Sequence, residues 1–312
     1  MDESGSMNMN DPQILRAEVG RLLISQLTTP QKATANNKAD KVALTAFNVA
    51  SWTMHEMSEV TPEAIDAPLA AGAAFGGTEL RQGLFAALSQ LYAVKDANLK
   101  DNGAVVIFSD GQAEDDIMGS VNLLKDAASR GIRVSFGQLA ADMDPRLSAA
   151  VLATGGVVSL IENAEGQQSF VNQVIKNGIT NNDGKCLGNE VLENEITNLG
   201  LCSDTASAVY TYTPGKGEKV AVTVALVSKS NPVKLAATIE NKATGAKQQA
   251  TISSGNPSQA ISVVAAKGQL VAVTVQPSGA AADQTCQYSV RLDTSPDDSA
   301  PVTVSSQIPT SS

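Results

Sequence analysis

The sequence predicts a mixed architecture: a doubly wound α/β unit over about residues 1–180, then an all-β sandwich over 203–293. Two observations carry this. Strand-period and helix-period segments alternate through the first 180 residues, which is the signature of a parallel sheet with helices on both faces. From about residue 203 the helical period disappears and short alternating runs follow, split by Gly, Pro and Asn turns. Strand-sized pieces at roughly 10–15-residue spacing read as an antiparallel sandwich. At 312 residues the chain is long enough for two cores.

The elements follow in order. In "DPQILRAEVGRLLISQL", Ile14, Leu15, Val19, Leu22, Leu23 and Leu27 fall on one helical face, with Pro12 near the first turn. "KVALTAFN" and "SWTMHEM" are expected as two adjacent strands. "TELRQGLFAALSQLYAV" places Leu80, Leu84, Leu88 and Leu91 in helical register. "GAVVIFSDG" is a continuous apolar run ending at Asp110, as expected of a strand buried on both faces. "DDIMGSVNLLKDAASRG" has acidic residues at its start and Arg130-Gly131 at its end, which suits a helix. "IRVSFGQL", "DPRLSAAVLATGG", "VVSLIE" and "QSFVNQVIKNGI" complete the pattern as strand, helix, strand and helix. Residues 181–202, with "NNDGKCLGN", read as a turn-rich linker. The tail at 294–312 is rich in Ser, Thr and Pro and reads as disordered.

Composition narrows the function classes. The chain is 43% hydrophobic and 17% charged, a globular balance, with a net charge of −10. No dense Lys/Arg stretch offers a phosphate-binding face, so nucleic acid is not an expected partner. No apolar run is long enough to span a membrane. The cysteines, Cys186, Cys202 and Cys286, fit no zinc spacing, and His55 is the single histidine. One disulfide and one free thiol are expected in an oxidising compartment, with three pairings open. In the cytosol all three would stay reduced.

In an open parallel sheet, ligands bind beyond the carboxyl ends of the strands. Three segments bring oxygen donors there. "DESGS" offers Asp2, Ser4 and Ser6; "FGGTEL" offers Thr78; "VIFSDG" offers Asp110. Two carboxylates and three hydroxyls form an all-oxygen set that, with waters, suits octahedral Mg²⁺ or Mn²⁺.

The set D-x-S-x-S, a later G-G-T and an apolar strand ending in S-D-G resembles the metal-ion-dependent adhesion site of von Willebrand factor type A domains. "LATGGVVSL", at 152–160, resembles that family's last helix-to-strand passage. The likeness spans about residues 1–180 and implies a Rossmann-like fold. It also implies that Ser4 and Ser6 ligate the metal directly, and that Thr78 does so in the ligand-ready state. Asp2 and Asp110 would act largely through water. The implied partner is a protein presenting an acidic side chain to the metal, so the chain is expected to be a non-enzymatic adhesion-type module, extracellular or on the cell surface.

An adhesion-type domain followed by a sandwich is also similar in layout to calcium-activated chloride channel regulator-like surface proteins. Their relatives suggest an alternative in which a metalloprotease part lies elsewhere, although this chain has no H-E-x-x-H. A cytoplasmic assembly factor is a further alternative. No N-x-[S/T] sequon with an allowed middle residue is present.

Plainer readings exist for each feature. Asp2, Ser4 and Ser6 could be a frayed terminus, and Thr78 and Asp110 could be helix caps. Glu114, Asp115 and Asp116 read as helix-start charges, and Trp52 and His55 as packing or edge residues. No G-K-[S/T] follows Gly76-Gly77, which excludes a phosphate loop. No nucleophile motif accompanies His55, which leaves no triad. In the family the D-x-S-x-S loop follows a central strand, whereas only Met1 precedes Asp2 here. The α/β unit is therefore expected to lack that N-terminal strand, with "MDESGSM" starting at an internal methionine of a longer polypeptide or at a trimmed boundary.

Overall fold

The computed structural model describes residues 1–72, 74–95, 98–111, 116–139, 143–162, 164–177, 179–180, 190–202, 207–227, 233–278 and 286–296. Over the first 177 residues the elements are α1 (Met7–Asn10), α2 (Leu15–Ser25), β1 (Lys41–Phe47), β2 (Ser51–Glu59), α3 (Pro62–Asp66) and α4 (Leu80–Tyr92). They continue with α5 (Leu99–Asn102), β3 (Ala104–Ser109), α6 (Ile117–Ser129), β4 (Arg133–Gln138), α7 (Pro145–Leu152), β5 (Val158–Leu160) and α8 (Ala164–Asn177). β3, β4 and β5 form a parallel ladder. Helices cover both of its faces, because the strands are apolar on both. Val105 and Ile107 pack with Leu80, Leu84 and Leu88 of α4, while Phe108 packs with Val19 and Leu23 of α2 and Phe170 of α8.

Helix starts differ from the expected ones by more than two residues in two places: α8 begins at Ala164, four residues before Gln168, and α2 starts late. α2 begins at Leu15, not at Pro12, because Asp11 accepts the N–H groups of Leu15 and Arg16 and Ile14 turns into left-handed backbone at φ 54°. Ile14 therefore projects to solvent, and the buried face of α2 is Ala17, Val19, Leu23 and Ile24. At the far end of α6, Gly131 takes the left-handed conformation that ends the helix.

The β part comprises β6 (Glu190–Val191), β7 (Ile196–Leu201), β8 (Ala208–Tyr212), β9 (Glu218–Leu226), β10 (Lys234–Asn241), β11 (Lys247–Ile252), β12 (Ser258–Ala265), β13 (Val271–Ser278) and β14 (Gln287–Pro296). One sheet has the order β11-β10-β13-β8-β6. Inward residues of β10 and β13 share a core with Val220, Val222 and Val224 of β9 and Val290 and Leu292 of β14. Two sheets thus face each other across alternating apolar positions, as the period of two requires.

The stretch at 181–202 read as a linker contains β6 and β7. β7 pairs antiparallel with β5 on one side and with β14 on the other, so a seven-stranded sheet, β12-β9-β14-β7-β5-β4-β3, runs from one part into the next. The inward positions of β7 are Ile196, Asn198 and Gly200, only one of them a large apolar residue. The hydrophobic period that marks a strand is absent for that reason. Asn198 Oδ1 instead accepts from Ser159 Oγ of β5 at 2.7 Å and Gln173 Nε2 of α8 at 2.6 Å. A disulfide joins Cys202 to Cys286 at the β7–β14 junction, one of the three open pairings. Cys186 lies outside the described residues. β14 continues to Pro296, three residues into the expected tail, and 297–312 lie outside the described residues.

Close packing sets a sharp constraint at Gly156, between α7 and β5. A Cβ there would lie 1.8 Å from the carbonyl oxygen of Val134 in β4. Gly156→Ala is expected to cost about 3 kcal/mol or more, since backbone rather than a mobile side chain must yield. Gly215→Ala, where a Cβ meets nothing, should stay within about 0.5 kcal/mol of the parent in urea unfolding.

Candidate metal centre

The three expected donor segments meet at the carboxyl edge of β3. Met1–Glu3 lies between β1 and β3: Asp2 N–H donates to Phe108 O at 2.9 Å and Glu3 N–H to Phe47 O at 2.7 Å. The Asp2–Phe47 bridge is parallel. Asp2 and Ser4 are fully buried and Ser6 is half-buried, so the opening residues are an integrated part of the sheet and not a frayed end.

Ser4 Oγ and Ser6 Oγ stand 3.1 Å apart. The loop carrying Thr78 is tied to them through backbone: Gly5 N–H donates to Gly76 O at 2.8 Å and Phe75 N–H to Glu3 O at 2.9 Å. Gly76 has φ 78°, a conformation that favours glycine and lets its carbonyl approach Gly5. Thr78 is buried and precedes Glu79, the residue flanking α4, so it is not that helix's cap. Asp110 follows the last residue of β3, is fully buried, and flanks no helix.

Two further residues belong to the cluster. Ser109 Oγ donates to Asp2 Oδ2 at 2.5 Å and accepts from Gly111 N–H at 3.1 Å. Asn10 Nδ2 donates to Asp110 Oδ2 at 3.0 Å. Ser109 stands in the quoted S-D-G, so its place was visible although its role was not. Asn10 carries no motif, because its approach depends on the turn that forms α1. Asp116 sits at the start of α6, whereas Glu114 and Asp115 lie outside the described residues. His55 stands on β2, with Nε2 2.8 Å from Ser58 Oγ, and Trp52 on the same strand pairs with Ala46.

The electrostatics fit a cation. Burial raises the Asp2 carboxyl above the usual carboxylate range; the hydrogen bonds from Ser109 and Ser4 oppose this, and the nearby Asp110 charge adds to it. The partners of Asp2 are a hydroxyl and a backbone amide, which orient its charge without neutralising it. Two buried carboxylates at one edge are costly unless a positive charge is shared between them. Among the described residues no cluster of three or more His, Cys, Asp or Glu is present, so hydroxyl oxygens must complete any coordination shell. Such a shell suits a hard cation.

No family model matches the chain, and no curated protein matches it. Solved structures do. A von Willebrand factor type A protein from Catenulispora acidiphila is 14% identical over 88% of this chain, with a TM-score of 0.47. The chain spans 56% of that protein's length. The conserved hypothetical protein BatB from Bacteroides thetaiotaomicron is 16% identical, with a TM-score of 0.43, covering 56% of this chain and 94% of its own. Proximal thread matrix protein 1 of the mussel byssus, whose MIDAS motif is occupied by zinc, is 16% identical over 56% of this chain and 46% of its own, at a TM-score of 0.44. At these levels the likenesses carry no functional argument, and the reading of the site rests on its own geometry.

The loop that presents Ser4 and Ser6 is anchored by a buried ion pair just behind it. Asp11 Oδ2 accepts from Arg16 Nη1 at 2.7 Å, and both side chains are almost fully buried. Asp11→Ala should destabilise the fold by about 3–5 kcal/mol, because it strands the Arg16 charge. Replacing the pair together by Asp11→Leu and Arg16→Met should cost less than the single change in thermal unfolding. A single change as mild as the double would show the pair to be dispensable.

Proposed function

We propose that this chain is a non-enzymatic, divalent-cation-dependent protein-binding module of the von Willebrand factor type A kind. The observation that carries the reading is the meeting of buried Asp2 and Asp110 with the Ser4–Ser6 hydroxyl pair and the Thr78 loop at one sheet edge. Ser4, Ser6 and Thr78 would hold Mg²⁺ or Mn²⁺ through hydroxyls, with Asp2 and Asp110 supplying negative charge behind them. A bound cation with mostly neutral direct ligands supplies an under-neutralised centre that attracts a carboxylate from a partner.

The surroundings suit binding rather than turnover. Ser109 and Asn10 fix the two carboxylates by hydrogen bonds, which preorganises the edge for one ion geometry. Met9 and Phe75 flank the Ser4–Ser6 loop in the chain and across its backbone contacts, and Val49 lies beside Gly76; each is more than half exposed. They offer apolar contact around an acidic anchor. The single histidine is engaged with Ser58 on β2, which supports a non-catalytic role. The Cys202–Cys286 disulfide supports an exported protein, secreted or displayed at the cell surface.

Calorimetric titration with Mg²⁺ and Mn²⁺ tests this reading. The parent chain should bind one ion, and Asp110→Ala should lose about 10- to 100-fold in affinity while keeping its far-ultraviolet circular dichroism. Equal affinity in the two proteins would overturn the assignment.

A further inference from the structure

Three apolar side chains stand in water beside the candidate cation edge. Met9 is 79% exposed, Phe75 64% and Val49 56%. Each forgoes the stabilisation that burial would give it. Single exposed apolar residues are ordinary, whereas a group gathered at one place marks a contact surface.

Backbone contacts gather them. Phe75 N–H donates to Glu3 O at 2.9 Å, and Phe75 O accepts from Asn48 Nδ2 at 3.2 Å. On one side Ala74 O accepts from Asn8 Nδ2 at 2.7 Å, and on the other Gly76 O accepts from Gly5 N–H at 2.8 Å. The opening loop, α1 and the turn after β1 thus all grip residues 74–76, and the Phe75 ring is held out into solvent by a tethered backbone. Asn8 brings its neighbour Met9 to the Ala74 side. Asn48 brings Val49, whose Cγ1 lies 3.5 Å from where a Cβ on Gly76 would stand. An exposed aromatic on a fixed backbone has little freedom to lose on binding, which suits it to anchor an interface. Met9 adds an unbranched side chain that adapts to different apolar shapes.

Charge narrows the partner further. The segments that build this surface, residues 1–10, 48–49 and 74–79, contain Asp2, Glu3 and Glu79 and no Lys or Arg. They offer a partner's carboxylate no ammonium or guanidinium, so a bound metal ion is what would receive it. The whole chain carries −10, and a second acid beside the first would meet like charge. Reach sets the spacing. Phe75 adjoins Gly76, Gly76 is bonded to Gly5, and Gly5 stands between Ser4 and Ser6. Three residues of extended peptide, about 10 Å, cover such a step.

We propose that the Met9–Val49–Phe75 surface selects the partner of this site: a protein segment with one acidic residue, a bulky apolar residue within three positions of it, and no second acid nearby. The proposal rests on the cation reading above and adds the partner's sequence character to it. The acid engages the ion, and the apolar neighbour covers Phe75 and Met9.

The test titrates three blocked peptides by calorimetry into the parent chain and into Phe75→Ser, after Mn²⁺ alone has been titrated into each protein. The peptides are Gly-Ser-Leu-Glu-Phe-Ser-Gly, Gly-Ser-Ser-Glu-Ser-Ser-Gly and Gly-Asp-Leu-Glu-Phe-Asp-Gly. With Mn²⁺ bound, the parent should prefer the first to the second by about tenfold or more, and the third should bind more weakly than the first. In Phe75→Ser the preference for the first over the second should fall to about twofold or less, with Mn²⁺ affinity unchanged. A parent that binds Mn²⁺ but shows no preference would overturn this proposal and leave the cation reading standing. A preference that survives Phe75→Ser, or a third peptide that binds as tightly as the first, would overturn it too. A parent that binds no Mn²⁺ would overturn the cation reading, and the proposal with it.

Discussion

Two backbone hydrogen bonds, from Asp2 N–H to Phe108 O and from Glu3 N–H to Phe47 O, fix the position of everything at the carboxyl edge. They hold the start of the chain between β1 and β3, so that the next residues must turn out over the sheet. That turn places Ser4 and Ser6 over the edge where β3 delivers Ser109 and Asp110. The Gly5–Gly76 and Glu3–Phe75 bonds then draw the Thr78 loop against it. Loops over a sheet edge are otherwise free to wander, and here the backbone ladder removes that freedom before any ligand is involved.

The same edge concentrates negative charge in a buried setting, which a folded protein tolerates only with compensation. Part of it is internal, through Ser109, Asn10 and the Ser4 amide. These groups hold the carboxylates in place by hydrogen bonds, and in the proposed reading a cation would share their charge. The neighbouring Asp11–Arg16 pair shows the contrasting solution, a carboxylate neutralised outright by a guanidinium. One acid is thereby spent on structure, whereas under the proposed reading Asp2 and Asp110 would face the cation.

Much of this was legible in the residues. The apolar run ending at Asp110, the leucines of α4 and the small polar D-E-S-G-S each carry a local pattern that reflects burial or turn chemistry. The donors converge because strand order brings strand ends together, so the motifs needed only their order in the chain. What escaped the sequence was structure held by polar contacts. β7 turns Ile196, Asn198 and Gly200 inward, a triplet with no hydrophobic period, and joins β5 through Asn198, Ser159 and Gln173. A segment read as a linker is therefore the shared strand of the two sheet regions. The left-handed turn at Ile14 escaped for a related reason: a β-branched residue gives no hint of positive φ.

The central claim is that hydroxyls and carboxylates at this edge form one cation site. A crystal of the parent chain grown with Mn²⁺, measured for anomalous scattering, tests it directly. The account predicts a single strong peak within about 2.5 Å of both Ser4 Oγ and Ser6 Oγ, on the Asp110 side of the loop. A fully loaded crystal with its peak at another acidic surface, and none at this edge, would contradict it.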